Sequence, residues 1–181
     1  MRRPANIQTE RLVLIVLLPE ELDALIAHDL ESAARLIGGI FPPEGPQLGD
    51  LSWHLKALLA DRSHLSWRIR AIVEQSSNRV VGSVNLKGPP NADGDVEIGW
   101  GLIESVRGKG YATEASAAVI QWIVQQPGVK SISATVPDDN HASQRVATKL
   151  GLTRSSEMRR DLPLWKVTAN SVLNPDDRRI L

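Results

Sequence analysis

The stretch Val106-Arg107-Gly108-Lys109-Gly110-Tyr111-Ala112 joins a segment that alternates to a segment that repeats at helical spacing, and its reading decides the fold. Upstream, Val96, Ile98, Trp100 and Leu102 alternate with Glu97, Gly99 and Gly101, the period of a strand. Downstream, Ala112, Ala115, Val119, Trp122 and Ile123 form one helical stripe, which Pro127 and Gly128 end. A glycine-rich turn from strand to helix leaves N–H groups unpaired, carries partial positive charge and lets backbone approach an anion closely. The stretch therefore predicts a pyrophosphate cradle, the plainer alternative being an ordinary strand-to-helix turn. It does not spell a P-loop, which needs two glycines separated by four residues and followed by Lys and Ser or Thr. The dinucleotide fingerprint is absent too, because Thr113 stands where its third glycine belongs and the turn lies past mid-chain.

Working outward, Trp67 to Val73 and Arg79 to Leu86 read as a hairpin around the polar turn Gln75 to Asn78, and Asp95 to Leu102 as a third antiparallel strand. On the other side of the helix, Val129 to Val136 is a strand. Asn140 is then an N-cap for a helix with the stripe Ala142, Val146 and Leu150, and Gly151 suits its C-terminal end. Strands near Leu152 to Arg159 and Leu164 to Thr168 close the sheet. The N-terminal third is one strand, Leu12 to Leu18, followed by helices from Pro19, over Glu31 to Ile37 and from Leu51 to Ala60. Arg2 and Arg3 ahead of the apolar run imitate a secretory signal. The run nevertheless stops at Pro19-Glu20-Glu21 with no small-residue cleavage site, so a buried strand is the reading.

The 181 residues suit one domain over 1–181, with a core from about 7 to 168 and a C-terminal tail from Ala169 to Leu181. Twenty-one basic residues balance twenty-one acidic ones, so no global field favours nucleic acid. Zero cysteines exclude a disulfide framework, a thiolate metal site and a cysteine nucleophile, and fit a reducing cytoplasm. No run approaches the 18 to 20 or so apolar residues of a membrane span. His28, His54, His64 and His141 show no metal-ligand spacing, and no metal is expected. The five tryptophans fall on apolar stripes, with Trp53 and Trp67 also candidates to line an acceptor pocket.

Arg107, Gly110 and Ala112 match the Q/R-x-x-G-x-G/A motif of the GCN5-related N-acetyltransferases, and the chain resembles the RimJ/RimL-like branch of that superfamily. The resemblance covers four elements in order: Thr9-Glu10-Arg11-Leu12, Val96-Glu97-Ile98-Gly99-Trp100, Gly108 to Ala115, and the set Asn140, Ser143, Val146, Lys149, Leu150 and Gly151. It implies an α/β fold with a mixed sheet of six or seven strands, about four helices, and a splay between strands four and five. It also implies acetyl-CoA as cosubstrate and direct transfer of its acetyl group to a primary amine, either a peptide or protein N-terminus or a small amine. Arg107, Gly108, Lys109, Gly110, Tyr111 and Ala112 would hold the pyrophosphate, Leu102 and Ile103 would pair with the pantetheine arm, and Asn140 and Ser143 would contact the cofactor.

For the base the candidate is Glu97, with Glu157 and Asp161 as substitutes, and the alternative reading of Glu97 is a solvent-facing sheet glutamate or a structural ion pair. Many relatives place a tyrosine acid on the helix that here carries Asn140 and Ser143. The one tyrosine of this chain is Tyr111, so Ser143 is the candidate acid, and a capping role is its alternative. A non-catalytic acyl-CoA-binding module of the same fold is the competing function. Self-association into a homodimer through the last strand and the tail is compatible with both.

Overall fold

Alternating apolar positions become strands and helical stripes become helices in the computed structural model, which describes residues 3–43, 45 and 48–173. A short hairpin of β1 (Ile7–Gln8) and β2 (Leu12–Val16) opens the chain and leads into α1 (Pro19–Ile26), α2 (Leu30–Ile37) and α3 (Leu51–Ala60). Three antiparallel strands follow, β3 (Arg70–Glu74), β4 (Arg79–Leu86) and β5 (Asp95–Leu102). Then come α4 (Tyr111–Val124), β6 (Ser131–Thr135), α5 (His141–Lys149), the hairpin β7 (Thr153–Arg159) and β8 (Leu162–Thr168), and α6 (Ala169–Leu173). One sheet runs in the order β1-β2-β3-β4-β5-β6-β8-β7, with β5 and β6 parallel.

The sheet separates two apolar layers. Leu12, Leu14, Ile72, Val84, Val96 and Ile98 face Ala115, Val119 and Ile123 of α4. On the opposite face Val16, Ala71, Val73 and Val80 meet Leu22, Ala33 and Leu58 of the first three helices. Strand alternation thus puts Glu97, Gly99 and Gly101 on the face away from α4.

The feature that positions the site is the separation of β5 from β6. Their parallel pairing is confined to Asp95↔Ser131, Val96↔Ile132 and Glu97↔Ser133, after which β5 keeps partners only on β4. The amide of Lys87 donates to the Glu97 carbonyl at 3.0 Å and that of Ile103 to the Val81 carbonyl at 3.0 Å. Bonding alternates along an antiparallel pair, so the even-numbered residues Ile98, Trp100 and Leu102 turn their N–H and C=O groups into the gap.

The eight strands exceed the expected six or seven, because Thr9 and Leu12 close a turn that lets Ile7–Gln8 pair with β2. The splayed pair, expected as strands four and five, is consequently β5 and β6. The strand expected from Trp67 begins at Arg70, since Asp61 caps the amide of Ser63 at 2.9 Å and winds Arg62–Trp67 into a 3₁₀ turn. Of the C-terminal tail, Ala169–Leu173 form α6, and residues 174–181, which carry part of the expected self-association surface, lie outside the described residues. Among the described residues no helix is long and apolar enough to cross a membrane.

Candidate active site

The gap between β5 and β6 opens into a cavity of about 440 Å³ at the N-terminal ends of α4 and α5. Its walls include Trp100 and Leu102 of β5, Arg107, Gly108 and Gly110 of the turn, and Asn140 and Ser143 of α5. Arg107, Arg145 and Lys149 are the cations of the lining, which contains no aspartate or glutamate. Such a wall suits a ligand with several phosphates.

Two features make the turn a cradle. Gly108 and Gly110 adopt φ of +79° and +85°, a region that costs an L-residue about 1 to 2 kcal/mol. Beyond Gly110 the first intrahelical bond is the Glu114 amide to the Gly110 carbonyl at 3.0 Å, and no side chain caps the helix. By contrast α2, α3 and α5 are capped by Asp29, Asp50 and Asn140. The first amides of α4 are thus left for a ligand. A Cβ at Gly108 would meet nothing within 4 Å, so the loop surface is open there. The residues present fit a pyrophosphate.

The loop is braced from the far edge of the sheet. Arg11 donates from Nη1 to the Lys109 carbonyl at 3.0 Å and from Nε to Glu114 at 2.7 Å, and its guanidinium lies 4.6 Å from the Tyr111 ring centre. Thr9 donates to the other Glu114 oxygen at 2.6 Å. Burial works to raise the Glu114 pKa, but these hydrogen bonds and the Arg11 charge outweigh it and hold the carboxyl below its usual range. Thr9 and Arg11 belong to the Thr9-Glu10-Arg11-Leu12 string, whose bracing of the loop depends on contacts about a hundred residues apart and is invisible to local pattern.

Tyr111 lines the cavity, and its hydroxyl is held by β3. Its hydroxyl donates to Glu74 at 2.5 Å, and this bond to the carboxylate raises the phenol pKa above its ordinary value. Glu74 is held low by hydrogen bonds from Ser77 and from Tyr111.

Ile103 does not face the gap: its amide is taken by Val81 and its carbonyl accepts from Val106 at 3.4 Å. Leu102 does face it, with its carbonyl accepting Arg107 Nε at 3.2 Å. Trp100, absent from the sequence candidates, lines the cavity instead of Ile103. Its place follows from pairing parity, which needs the β4–β5 register. The Lys109 side chain is not part of the lining, although its carbonyl is fixed by Arg11.

At α5, Asn140 Oδ1 accepts the Ser143 amide at 3.0 Å, so Asn140 is the cap. Ser143 lines the cavity, and its hydroxyl makes no hydrogen bond among the described residues.

Glu97 lies at the paired end of the gap, outside the cavity lining. Arg159 Nη1 donates to it at 3.0 Å, Arg160 Nη2 donates to its other oxygen, and Thr135 Oγ1 approaches at 3.5 Å. Arg159 also reaches buried Asp95 at 3.1 Å, which accepts from Ser131 at 2.8 Å and Ser133 at 2.6 Å. This network clamps β5 to β6 where they pair, and the splay starts immediately beyond it. Glu157 and Asp161 are exposed, and neither lines the cavity.

The acetyltransferase (GNAT) domain family matches residues 11–153. An uncharacterised N-acetyltransferase, YjdG of Bacillus subtilis (strain 168), is 36% identical over 80 residues, 44% of this chain and 48% of that protein. The chain thus aligns with about half the length of that relative. A ribosomal-protein-S5-alanine acetyltransferase from Vibrio fischeri superposes with TM-score 0.66 at 16% identity, covering 92% of this chain and 98% of the other. A ribosomal L7/L12 α-N-protein acetyltransferase, RimL, solved with coenzyme A, gives 0.64 at 18% identity, covering 91% and 98%. With the family match spanning residues 11–153, most of its length, the chain belongs to the acetyltransferase (GNAT) family.

Proposed function

We propose that this chain is an N-acetyltransferase that moves the acetyl group of acetyl-CoA to a primary amine. The observation that carries the reading is the β5–β6 gap, whose mouth is a cation-lined cavity between two helix N-termini, one of them without a side-chain cap. Amides around Gly108, Gly110, Tyr111 and Ala112 hold the pyrophosphate, with Arg107, Arg145 and Lys149 supplying positive charge. Backbone groups of Trp100 and Leu102 pair with the extended arm as an added strand would. Acetyl-CoA supplies an activated acyl group, so the protein needs no covalent nucleophile.

In the transfer, the amine nitrogen forms a bond to the acyl carbon and the carbon–sulfur bond breaks. Ser143, on the cavity wall, is our candidate to give a proton to the departing thiolate, and the proton lost by the amine restores the balance. Both Glu97 oxygens are engaged by arginines, and the residue lies outside the cavity lining. We therefore assign Glu97 to the β5–β6 clamp and deprotonation of the amine to water. That assignment favours acceptors of low amine pKa: an α-amine near 7.7 to 8.0 is partly neutral at pH 7, a lysine near 10.4 almost wholly charged. Protein N-termini fit this demand, and the RimL neighbour is named for α-N-protein acetylation. A reducing cytoplasm, which zero cysteines fit, is the compartment of this proposal.

Engagement of Tyr111 by Glu74 and of Glu97 by Arg159 and Arg160 also suits a second reading, an acyl-CoA-binding module without turnover. Acetyl-CoA turnover with amines separates the two, and Ser143→Ala then tests the proton donor. Because the cap is Asn140 Oδ1, the variant should keep its melting temperature and its acetyl-CoA affinity while kcat and kcat/KM fall together. The expected drop is about ten- to a hundredfold, at or below the low end for general acids because a thiolate leaves readily. Steady-state kinetics beside a thermal melt decide it, and an unchanged kcat would make water the proton donor.

A further inference from the structure

On the sheet face away from α4, four side chains converge without an ion-pair partner. Trp53 and His54 come from α3, Arg68 from the turn before β3, and Lys87 from the end of β4. The Arg68 guanidinium lies 5.2 Å and Lys87 Nζ 4.9 Å from the Trp53 ring centre, so two cations share one indole. Arg68 is 5% exposed, yet its Nε has no hydrogen-bond partner among the described residues and its Nη1 makes only a 3.4 Å contact to the Lys87 carbonyl. His54 is 1% exposed with Nδ1 unpartnered, and Asn85 Oδ1 beside it is unpartnered as well.

Neither cation has a carboxylate within ion-pair distance among the described residues. Asp50 and Asp61, the acids whose fields reach this cluster, are occupied by the Trp53 amide at 2.9 Å and by Ser63 at 2.6 Å. Burial, then the charges of Lys87 and Arg68, push His54 down to about 4, so it is neutral at pH 7 and the cluster's charge is that of the two cations. A buried cation without a counter-ion is costly, and unpaired buried donors call for a ligand.

Register puts this cluster beside the gap. Asn85 is opposite Gly99 and Ser83 opposite Gly101, just past the last β5–β6 pair, Glu97↔Ser133. A Cβ at Gly99 would meet nothing within 4 Å, so the face is open there. The phosphate cradle lies on the α4 side, and whatever passes through the gap emerges on this face. We propose that Arg68 and Lys87, stacked on Trp53, form an anion subsite for the acceptor, so that the amine substrate carries a carboxylate or a phosphate. The assignment of the anion to the acceptor rests on the acetyltransferase reading, whereas anion binding itself does not.

Titration of the CoA-loaded protein with glutarate, inorganic phosphate and glutaramide, read from the Arg68 Nε–H and Trp53 indole N–H resonances, tests it. Glutarate or phosphate should shift both signals and glutaramide neither. A response to glutarate alone marks a carboxylate acceptor, and to phosphate alone a phosphate ester. Lys87→Gln, an exposed site whose change leaves the core intact, should weaken that binding at least tenfold, and Arg68→Gln should abolish it. Unmoved resonances in the wild type, or equal affinity in Lys87→Gln, overturn the subsite. With acetyl-CoA present, glycylglutamate should be acetylated at least tenfold more efficiently than glycylglutamine amide, through KM, and Lys87→Gln should erase the difference. Equal efficiency in the wild type would remove the anion from the acceptor. Lys87-dependent glutarate binding with no amine ever acetylated would leave the subsite standing and remove the acetyltransferase reading.

Discussion

Replacing Gly110 by valine should weaken acetyl-CoA binding about a hundredfold and lower the melting temperature as well. The affinity loss follows from the amides at the start of α4, which have no side-chain cap to compete for them. A branched side chain over those amides removes one or two charge-assisted hydrogen bonds of roughly 1.5 to 3 kcal/mol each, and about 2.7 kcal/mol is a hundredfold. The stability loss has a separate cause. At φ +85° a β-branched residue is strained by about 1 to 2 kcal/mol, and its Cβ would sit 3.5 Å from Arg11 Nη2. Calorimetry at a temperature where the variant is folded separates the two effects, and undiminished affinity in folded protein would remove the phosphate assignment.

Arg159→Ala carries the second large effect, on stability. It strips the shared cation from Asp95 and Glu97, whose side chains are 3% and 9% exposed. Breaking a buried pair by removing one partner costs about 3 kcal/mol or more, because the remaining charge stays buried. Arg160 still reaches Glu97, which keeps the expected loss near 3 kcal/mol rather than above it. For a chain of this length that is on the order of 6 to 12 °C in melting temperature. Scanning calorimetry against wild type checks it. An unchanged melting temperature would mean that the network is surface decoration, and Glu97 would return as a candidate base.

What pattern reading could reach was set by how local the cause is. The helix over Leu51–Ala60 and the strand over Asp95–Leu102 were legible to the residue, because period, Asp50 capping and flanking loops all lie in adjacent sequence. Two helices were expected here, but the place of the break, ahead of Leu30, was not legible, since it depends on His28 adopting φ of +57°, which its residue type does not announce. The β7–β8 turn places Arg160 and Asp161 at φ of +53° and +60° without the Asn-Gly signature of such a turn. At the cavity, the positive-φ glycines of the turn and the Asn140 cap were legible because each depends on its own local geometry. The fixing of Glu97 by Arg159 and Arg160 spans more than sixty residues, and the exchange of Ile103 for Trp100 follows from strand parity. Neither leaves a trace within a short window.

Incubation with acetyl-CoA and two matched peptides, one with a free N-terminus and no lysine and one N-terminally blocked with an internal lysine, tests transfer to a low-pKa amine most directly. Peptide mass and CoA release are followed together. One acetyl group should be added to the free N-terminus, with one CoA released per acetyl and a much slower reaction at the lysine. Tight acetyl-CoA binding with no acetylated amine across such peptides, or faster acetylation of the lysine, would contradict this.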